Sequence, residues 1–318
     1  MAQGAWQVGR RHCTRSLHER GAPVATRSLF RKAPMTPISP TKPLAFAVLG
    51  HPIAHSFSPI MHTASFRKIG FAGTYEKRDV PPETLAEALD QLEAEGFTGL
   101  NLTIPHKQLA VPMMDELTPE ARRLGAVNTV LFRDGKRLGH NTDGPGFLAA
   151  AKAMLGFAPQ GQRVAVIGCG GAGRAVALSL AYAGISWIGL LDVDPVRVAA
   201  LAEEIRTGAG VPAEAIDRTR LGEAALVAQC SPSGLAVFPG PAAEAADFRA
   251  GQCLYDIVIP PGRPITPTMA EAAKAGVRSA NGVRMLVEQG ALSFHFWTGM
   301  EADREAMFQA VTEGVAHE

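Results

Sequence analysis

Residues 163–173 read RVAVIGCGGAG, an apolar run that breaks up into glycines, and the helical pattern RAVALSLAYAG comes directly after. Gly168, Gly170 and Gly173 stand at G-x-G-x-x-G spacing, after a strand pattern and at the head of a helix pattern. The first glycine allows a tight turn, the second lets backbone approach a pyrophosphate, and the third lets helix and strand pack closely. Gly171 and Ala172 complete a loop whose backbone N–H groups, at a helix N-terminus, face an anion. This context makes the stretch a dinucleotide-binding fingerprint rather than a chance glycine cluster.

The residues beyond the fingerprint support a parallel sheet. WIGLLDVD, PVRVAALAEEI, EAALVAQC, CLYDIVI and TPTMAEAAKAG alternate strand and helix patterns, which implies crossover connections. An acid is expected about 20 residues beyond the fingerprint, where it accepts hydrogen bonds from the adenosine ribose. Asp192 stands there, with Asp194 two residues on. A carboxylate at that point repels a 2′-phosphate, and Val193 occupies a place where an arginine would clamp one. The residues therefore favour NAD over NADP, with NADP still possible because Arg197 lies one helical turn further on.

A second α/β module precedes this one, from Leu44 to about residue 145. LAFAVLG reads as a buried strand, PPETLAEALDQLEAEG as a helix, and AVNTVLFRDG with KRLGHNTDG as a hairpin turning at Asp134-Gly135. Polar residues gather where its apolar strands end. Ser56 and Ser58 share one side of an extended backbone and suit a carboxylate. NLTIPHK brings Asn101, Thr103 and Lys107; GAVNT and GHNTDG bring Asn128 and Asp143. Each has a plainer role open to it: a helix cap, a turn residue, or in the case of Lys107 a solvated charge. His106 reads as a turn residue, and His51, His55 and His62 as capping or lining the first loop.

Taken together, the stretches GHPIAHSFSPIMH, GLNLTIPHK, GAVNT, NTDGPGF, GCGGAGRA, YDIVIPP and MLVEQGALSFHFWTG resemble the shikimate dehydrogenase family, in the family's order, from Leu44 to Gly299. The resemblance implies an α/β fold with a substrate domain over residues 44–145 plus 283–318. It also implies a Rossmann domain over 146–282 and C-terminal helices returning to the first domain. It implies reversible, nicotinamide-dependent reduction of 3-dehydroshikimate to shikimate in aromatic amino acid biosynthesis. Carried over, Ser56 and Ser58 would hold the substrate carboxylate. Thr103, Asn128 and Gln289 would contact ring hydroxyls, Tyr255 would sit near substrate and nicotinamide, and Lys107 with Asp143 would form the catalytic pair. The chain departs from the commonest pattern at DVD, where most members carry Asn-Arg-Thr and bind NADP; this is similar to the NAD-using quinate/shikimate branch. That branch often has threonine at the second clamp position, so Ser58 points to shikimate. Quinate or an aminated shikimate as substrate, and a non-catalytic dinucleotide sensor, are the alternatives. A methylenetetrahydrofolate dehydrogenase shares the two-domain plan, but the serine pair and NTDG disfavour it.

Composition excludes other classes. Lys+Arg 31 against Asp+Glu 30 and an aromatic content of 6% give no basis for nucleic-acid binding. The four cysteines and nine histidines show no metal-ligand spacing, no apolar run reaches membrane-span length, and a reduced cytoplasmic setting is inferred from the scattered cysteines. The expected partner is a small molecule, and the assembly a monomer or homodimer. Residues 1–43 carry eight Lys or Arg and one acid, Glu19, and read as a disordered or targeting-like leader.

Overall fold

The computed structural model describes residues 43–260 and 262–317, so the leader, apart from Pro43, and Cys13 lie outside the described residues. The first lobe runs β1 (Leu44–Gly50), α1 (Ser58–Ile69), β2 (Gly73–Asp79), α2 (Leu85–Ala94), β3 (Gly99–Leu102), α3 (His106–Leu109), β4 (Glu116–Leu117), α4 (Pro119–Leu124), β5 (Thr129–Arg133) and β6 (Lys136–His140). Its sheet has the order β2-β1-β3-β5-β6-β4. β1 is parallel to β2 and β3, while β5 runs antiparallel to β3 and β6. The β5–β6 hairpin turns at Asp134 (φ 53°) and Gly135 (φ 68°), the two positive-φ residues that match a turn to strand twist.

Strand alternation divides this sheet into two faces. Ala47, Leu49, Leu100, Leu102 and Val130 pack with Leu85, Leu89 and Leu92 of α2. The opposite face, with Phe46, Tyr75 and Gly99, meets an aromatic layer in which Phe46 stacks on Trp297 at 4.7 Å. A Cβ added at Gly99 would stand 2.4 Å from the Trp297 indole, so the missing side chain is what lets the ring lie on the strand.

Helix α5 (Asp143–Leu155) leads into the second lobe, and residues 145 and 146, the expected domain boundary, fall inside it. Its first turn carries Asp143, whereas Phe147, Ala150, Ala151 and Leu155 are buried against the second sheet. That lobe runs β7 (Arg163–Ile167), α6 (Gly171–Tyr182), β8 (Trp187–Leu191), α7 (Pro195–Ala209), β9 (Ala213–Ala215), β10 (Leu226–Gln229), β11 (Cys253–Asp256), α8 (Pro267–Lys274) and β12 (Arg278–Ala280). The order is β12-β11-β10-β7-β8-β9, parallel throughout. Val164 and Val166 face one core, Ala165 and Ile167 the other, which is why the strand reads as continuously apolar. Strand order reverses between β7 and β10, and a doubly wound sheet opens its ligand crevice at such a switch point.

The chain then returns. Helix α9 (Val283–Thr298) packs on α5 and on β5, and α10 (Arg304–His317) packs on α1. Buried Glu288 holds Arg284 at 2.7 Å and Arg304 at 3.0 Å, joining these two helices.

Candidate active site

A cleft of about 720 Å³ opens between the two sheets. Lys107 does not sit at a strand end. β3 stops at Leu102, the chain passes a cis Ile104–Pro105 peptide, and Lys107 falls in the single turn of α3. The Val127 N–H donates to the Lys107 carbonyl at 2.7 Å, fixing that turn against the start of β5. The Lys107 amine donates to Asp143 Oδ2 at 2.7 Å, with the two side chains 29% and 11% exposed. Asn128 Nδ2 donates to Asp143 Oδ1 at 2.9 Å, and Asn128 Oδ1 accepts the Thr142 N–H at 2.8 Å. Both carboxylate oxygens are therefore committed, and the amine is pinned at the cleft floor with one side open to a ligand.

Ser56, Ser58, Asn101, Thr103, Asn128 and Gln289 line the same half of the cleft. Ser58 begins α1 and is buried, and its N–H meets Ser56 Oγ at 3.4 Å. Gln289, from α9, accepts from Asn128 Nδ2 at 3.4 Å. The fold thus gathers residues 56 to 289 of the sequence into one polar pocket.

The other half is formed by the fingerprint loop and the ends of β10 and β11. Gly168 has φ 92°, and a Cβ there would lie 2.6 Å from the Ser231 nitrogen. A Cβ on Gly173 would lie 1.7 Å from the Gly168 carbonyl oxygen. By contrast, Gly170 and Gly171 border open space, and with Ala172 they line the cleft. No side chain caps α6, so its first N–H groups remain available to an anion. These features fit a dinucleotide pyrophosphate.

Asp192 also braces this loop, because its Oδ2 accepts the Cys169 N–H at 2.5 Å and its Oδ1 accepts the Asp194 N–H at 2.9 Å. Asp194 is the N-cap of α7, accepting from Val196 and Arg197 N–H groups, and pairs with Arg197 Nε at 3.1 Å. Its place as a cap, and the pairing of Arg197 to it, give both residues a structural task. Val193 is fully exposed beside them.

Tyr255 is not brought to the cleft. Alternation along β11 turns it, with Cys253, into the core shared with α5. It is fully buried, edge-on to Phe147 at 5.1 Å, and its hydroxyl accepts the Met285 N–H at 3.1 Å. Ile257, Val258 and Ile259 form the cleft wall there instead. Among the histidines, His55 lines the cleft and His51 pairs with Asp79 at 2.8 Å. His62 belongs to the aromatic layer, not the loop, and burial pushes its pKa down to about 3. His106 is buried too, with Nε2 donating to the Val80 carbonyl at 2.8 Å.

Some contributors carry no clear mark in the sequence. Gln229, in QCSPSG, donates to the Ser231 and Ser233 carbonyls at 3.0 and 3.2 Å and accepts the Ser231 N–H at 2.7 Å, shaping the loop after β10. Buried Asp256 accepts from Thr266 Oγ1 at 2.5 Å and from the Val258 N–H at 3.1 Å, tying the end of β11 to the cap of α8. A polar residue closing an apolar strand is the one signal available for both.

Comparison with known proteins places this geometry. A family model described as the shikimate dehydrogenase substrate binding domain matches residues 48–130, and one described as the shikimate 5'-dehydrogenase C-terminal domain matches 282–312. The shikimate dehydrogenase (NADP(+)) of Methanopyrus kandleri is 41% identical over 276 residues, 84% of this chain and 94% of that protein. The chain belongs to the shikimate dehydrogenase family. Another member, shikimate 5-dehydrogenase of Thermus thermophilus, crystallised with NADP(H) and shikimate, superimposes with a TM-score of 0.77 at 40% identity, covering 85% of this chain and 99% of that one. The quinate dehydrogenase of Corynebacterium glutamicum, in complex with NAD, has a TM-score of 0.79 at 30% identity, covering 86% of this chain and 99% of that one.

Proposed function

We propose that this protein interconverts 3-dehydroshikimate and shikimate with a nicotinamide dinucleotide, and that NAD is its preferred cofactor. The observation that carries the reading is the Lys107–Asp143 pair, set between the serine pair and the uncapped α6 terminus. Ser56 and Ser58 hold the substrate carboxylate, and Thr103, Asn128 and Gln289 take up ring hydroxyls. Gly170, Gly171 and Ala172 hold the pyrophosphate. When bound, the dinucleotide supplies or accepts the hydride. As the ketone is reduced its oxygen gains negative charge, and the Lys107 ammonium stabilises that charge and delivers the proton. Asp143 orients the amine, Asn128 orients Asp143, and the apolar Ile257, Met285 and Leu286 keep water from the reacting face. Asp192 supports NAD, since its carboxylate is fixed by two backbone donors where a 2′-phosphate would need a cation.

Steady-state assays with shikimate and quinate against NAD and NADP test the reading. The expected result is the highest kcat/KM for shikimate with NAD. Absence of shikimate-dependent reduction of either dinucleotide refutes the activity, and a preference for NADP refutes the cofactor assignment alone.

A further inference from the structure

We infer that Arg174 is a positioning residue for hydride transfer: its guanidinium ties the dinucleotide loop of the second lobe to the segment of the first lobe that supports the catalytic pair. This rests on reading the cleft as a place where shikimate meets a dinucleotide. Arg174 follows the last fingerprint glycine in the first turn of α6, and its N–H donates to the Gly170 carbonyl at 2.8 Å. Arg174 and the loop facing the pyrophosphate are therefore one piece. The side chain does not line the cleft. Two bonds to Glu204 of α7, from Nε to Oε2 at 3.0 Å and from Nη2 to Oε1 at 2.5 Å, fix the plane of its fork. The remaining nitrogen, Nη1, donates to the Leu124 carbonyl. Leu124 ends α4, where a helix carbonyl has no partner of its own. A Cβ at Gly125 would stand 3.6 Å from Nη2, so the guanidinium also lies against the turn that closes this helix.

Helix α4 packs on β4 and β6 of the first sheet and on α6, while the Leu124 side chain is buried in the core of the second lobe. The residues just after Leu124 reach both members of the catalytic pair. The Ala126 carbonyl accepts Asn141 Nδ2 at 3.0 Å, and Asn141 Oδ1 accepts the Asp143 N–H at 3.0 Å. The Val127 N–H holds the Lys107 turn at 2.7 Å, and Asn128 Nδ2 donates to Asp143 at 2.9 Å. Asp143 itself starts α5, whose Gly144 sits so near α6 that a Cβ there would lie 1.8 Å from Ser179 Oγ. Lys107 and Asp143 are thus carried by separate pieces of chain, and Arg174 bridges them from behind the cleft. Substrate and dinucleotide are gripped by different lobes. A shift at this bridge changes the gap the hydride crosses and leaves every group that binds either partner in place.

Arg174→Leu removes the bridge and keeps an apolar stem. The full chain, in excess over NAD, is mixed with saturating shikimate, and the single turnover of hydride transfer is followed by absorbance. That rate constant does not depend on how much of the protein is folded. It is expected to fall at least about tenfold, since a misplacement of about 1 Å from a change far from the chemistry costs up to about a hundredfold. KM for shikimate and for NAD should each change by less than about threefold. Arg174→Lys keeps the charge, but one ammonium cannot hold Leu124 and both Glu204 oxygens at once, and its rate constant should fall at least about threefold. An unchanged rate constant in either folded variant, a loss carried by KM alone, or two variants that both fail to fold each overturns the assignment. A wild-type chain that does not turn over shikimate refutes the functional reading instead.

Discussion

On the proposed mechanism, replacing Lys107 by alanine removes the proton donor and leaves the rest of the pocket standing. Proton transfer by a positioned side chain is worth about 10²–10⁴ in rate, or roughly 3–5 kcal/mol of barrier. On that proposal the substrate is still gripped by Ser56, Ser58, Thr103 and Gln289, none of which bonds to the Lys107 amine. The expected kcat is therefore at least about a hundredfold lower, with KM changed by less than about tenfold. Folding suffers little. Asp143 keeps its Asn128 donor at 2.9 Å, and the 29% exposure of the Lys107 side chain lets water replace the amine, so the loss is about 1 kcal/mol. Initial rates with saturating dinucleotide, combined with a urea melt, separate the two effects. Because the pair acts as a unit, Lys107→Ala with Asp143→Asn together should fall little below the worse single variant. A Lys107→Ala enzyme within threefold of wild-type kcat would remove the lysine from the mechanism and with it the reason for reading this cleft as catalytic.

Three further expectations concern the surrounding structure. Asp192→Asn combined with Val193→Arg replaces a fixed negative charge by a cation and should raise the NADP/NAD ratio of kcat/KM by at least about tenfold; an unmoved ratio would place selection elsewhere. Burial raises the Asp256 pKa to about 6, against hydrogen bonds from Thr266, Val258 and Gln229 that oppose the shift. A folded-state pKa above the unfolded one contributes stability at low pH that is lost as pH rises through about 6. Asp256→Asn stays neutral, so its stability relative to wild type should improve between pH 4.5 and 7.5, by about 1–3 kcal/mol in urea melts; a pH-independent difference contradicts this. A Cβ at Gly146 would lie 2.8 Å from the Gln289 backbone nitrogen, where α5 meets α9. Gly146→Ala should cost about 1–3 kcal/mol and raise KM for substrate by displacing Gln289, and a Tm equal to wild type would show that the helices separate freely.

The sequence by itself determined the central strands β7, β8, β10 and β11 of the second lobe and the helices α6, α7 and α8, because a buried parallel strand, a glycine turn and a helix are local patterns, whereas the three-residue edge strands β9 and β12 are too short to show one. The φ of 92° at Gly168 and the open space at Gly170 and Gly171 are what that spacing demands. It also marked the polar residues of the cleft, as the chain places them where apolar strands stop. Tertiary structure decided which of them meet. Only the packing of α5 against α9, permitted by Gly146, puts Gln289 beside Asn128, 161 residues away in the chain. Only strand register turns Tyr255 inward and Tyr75 toward Asn101. A strand's period of two shows that side chains alternate, but which face becomes the core is fixed by what the other elements bring to it.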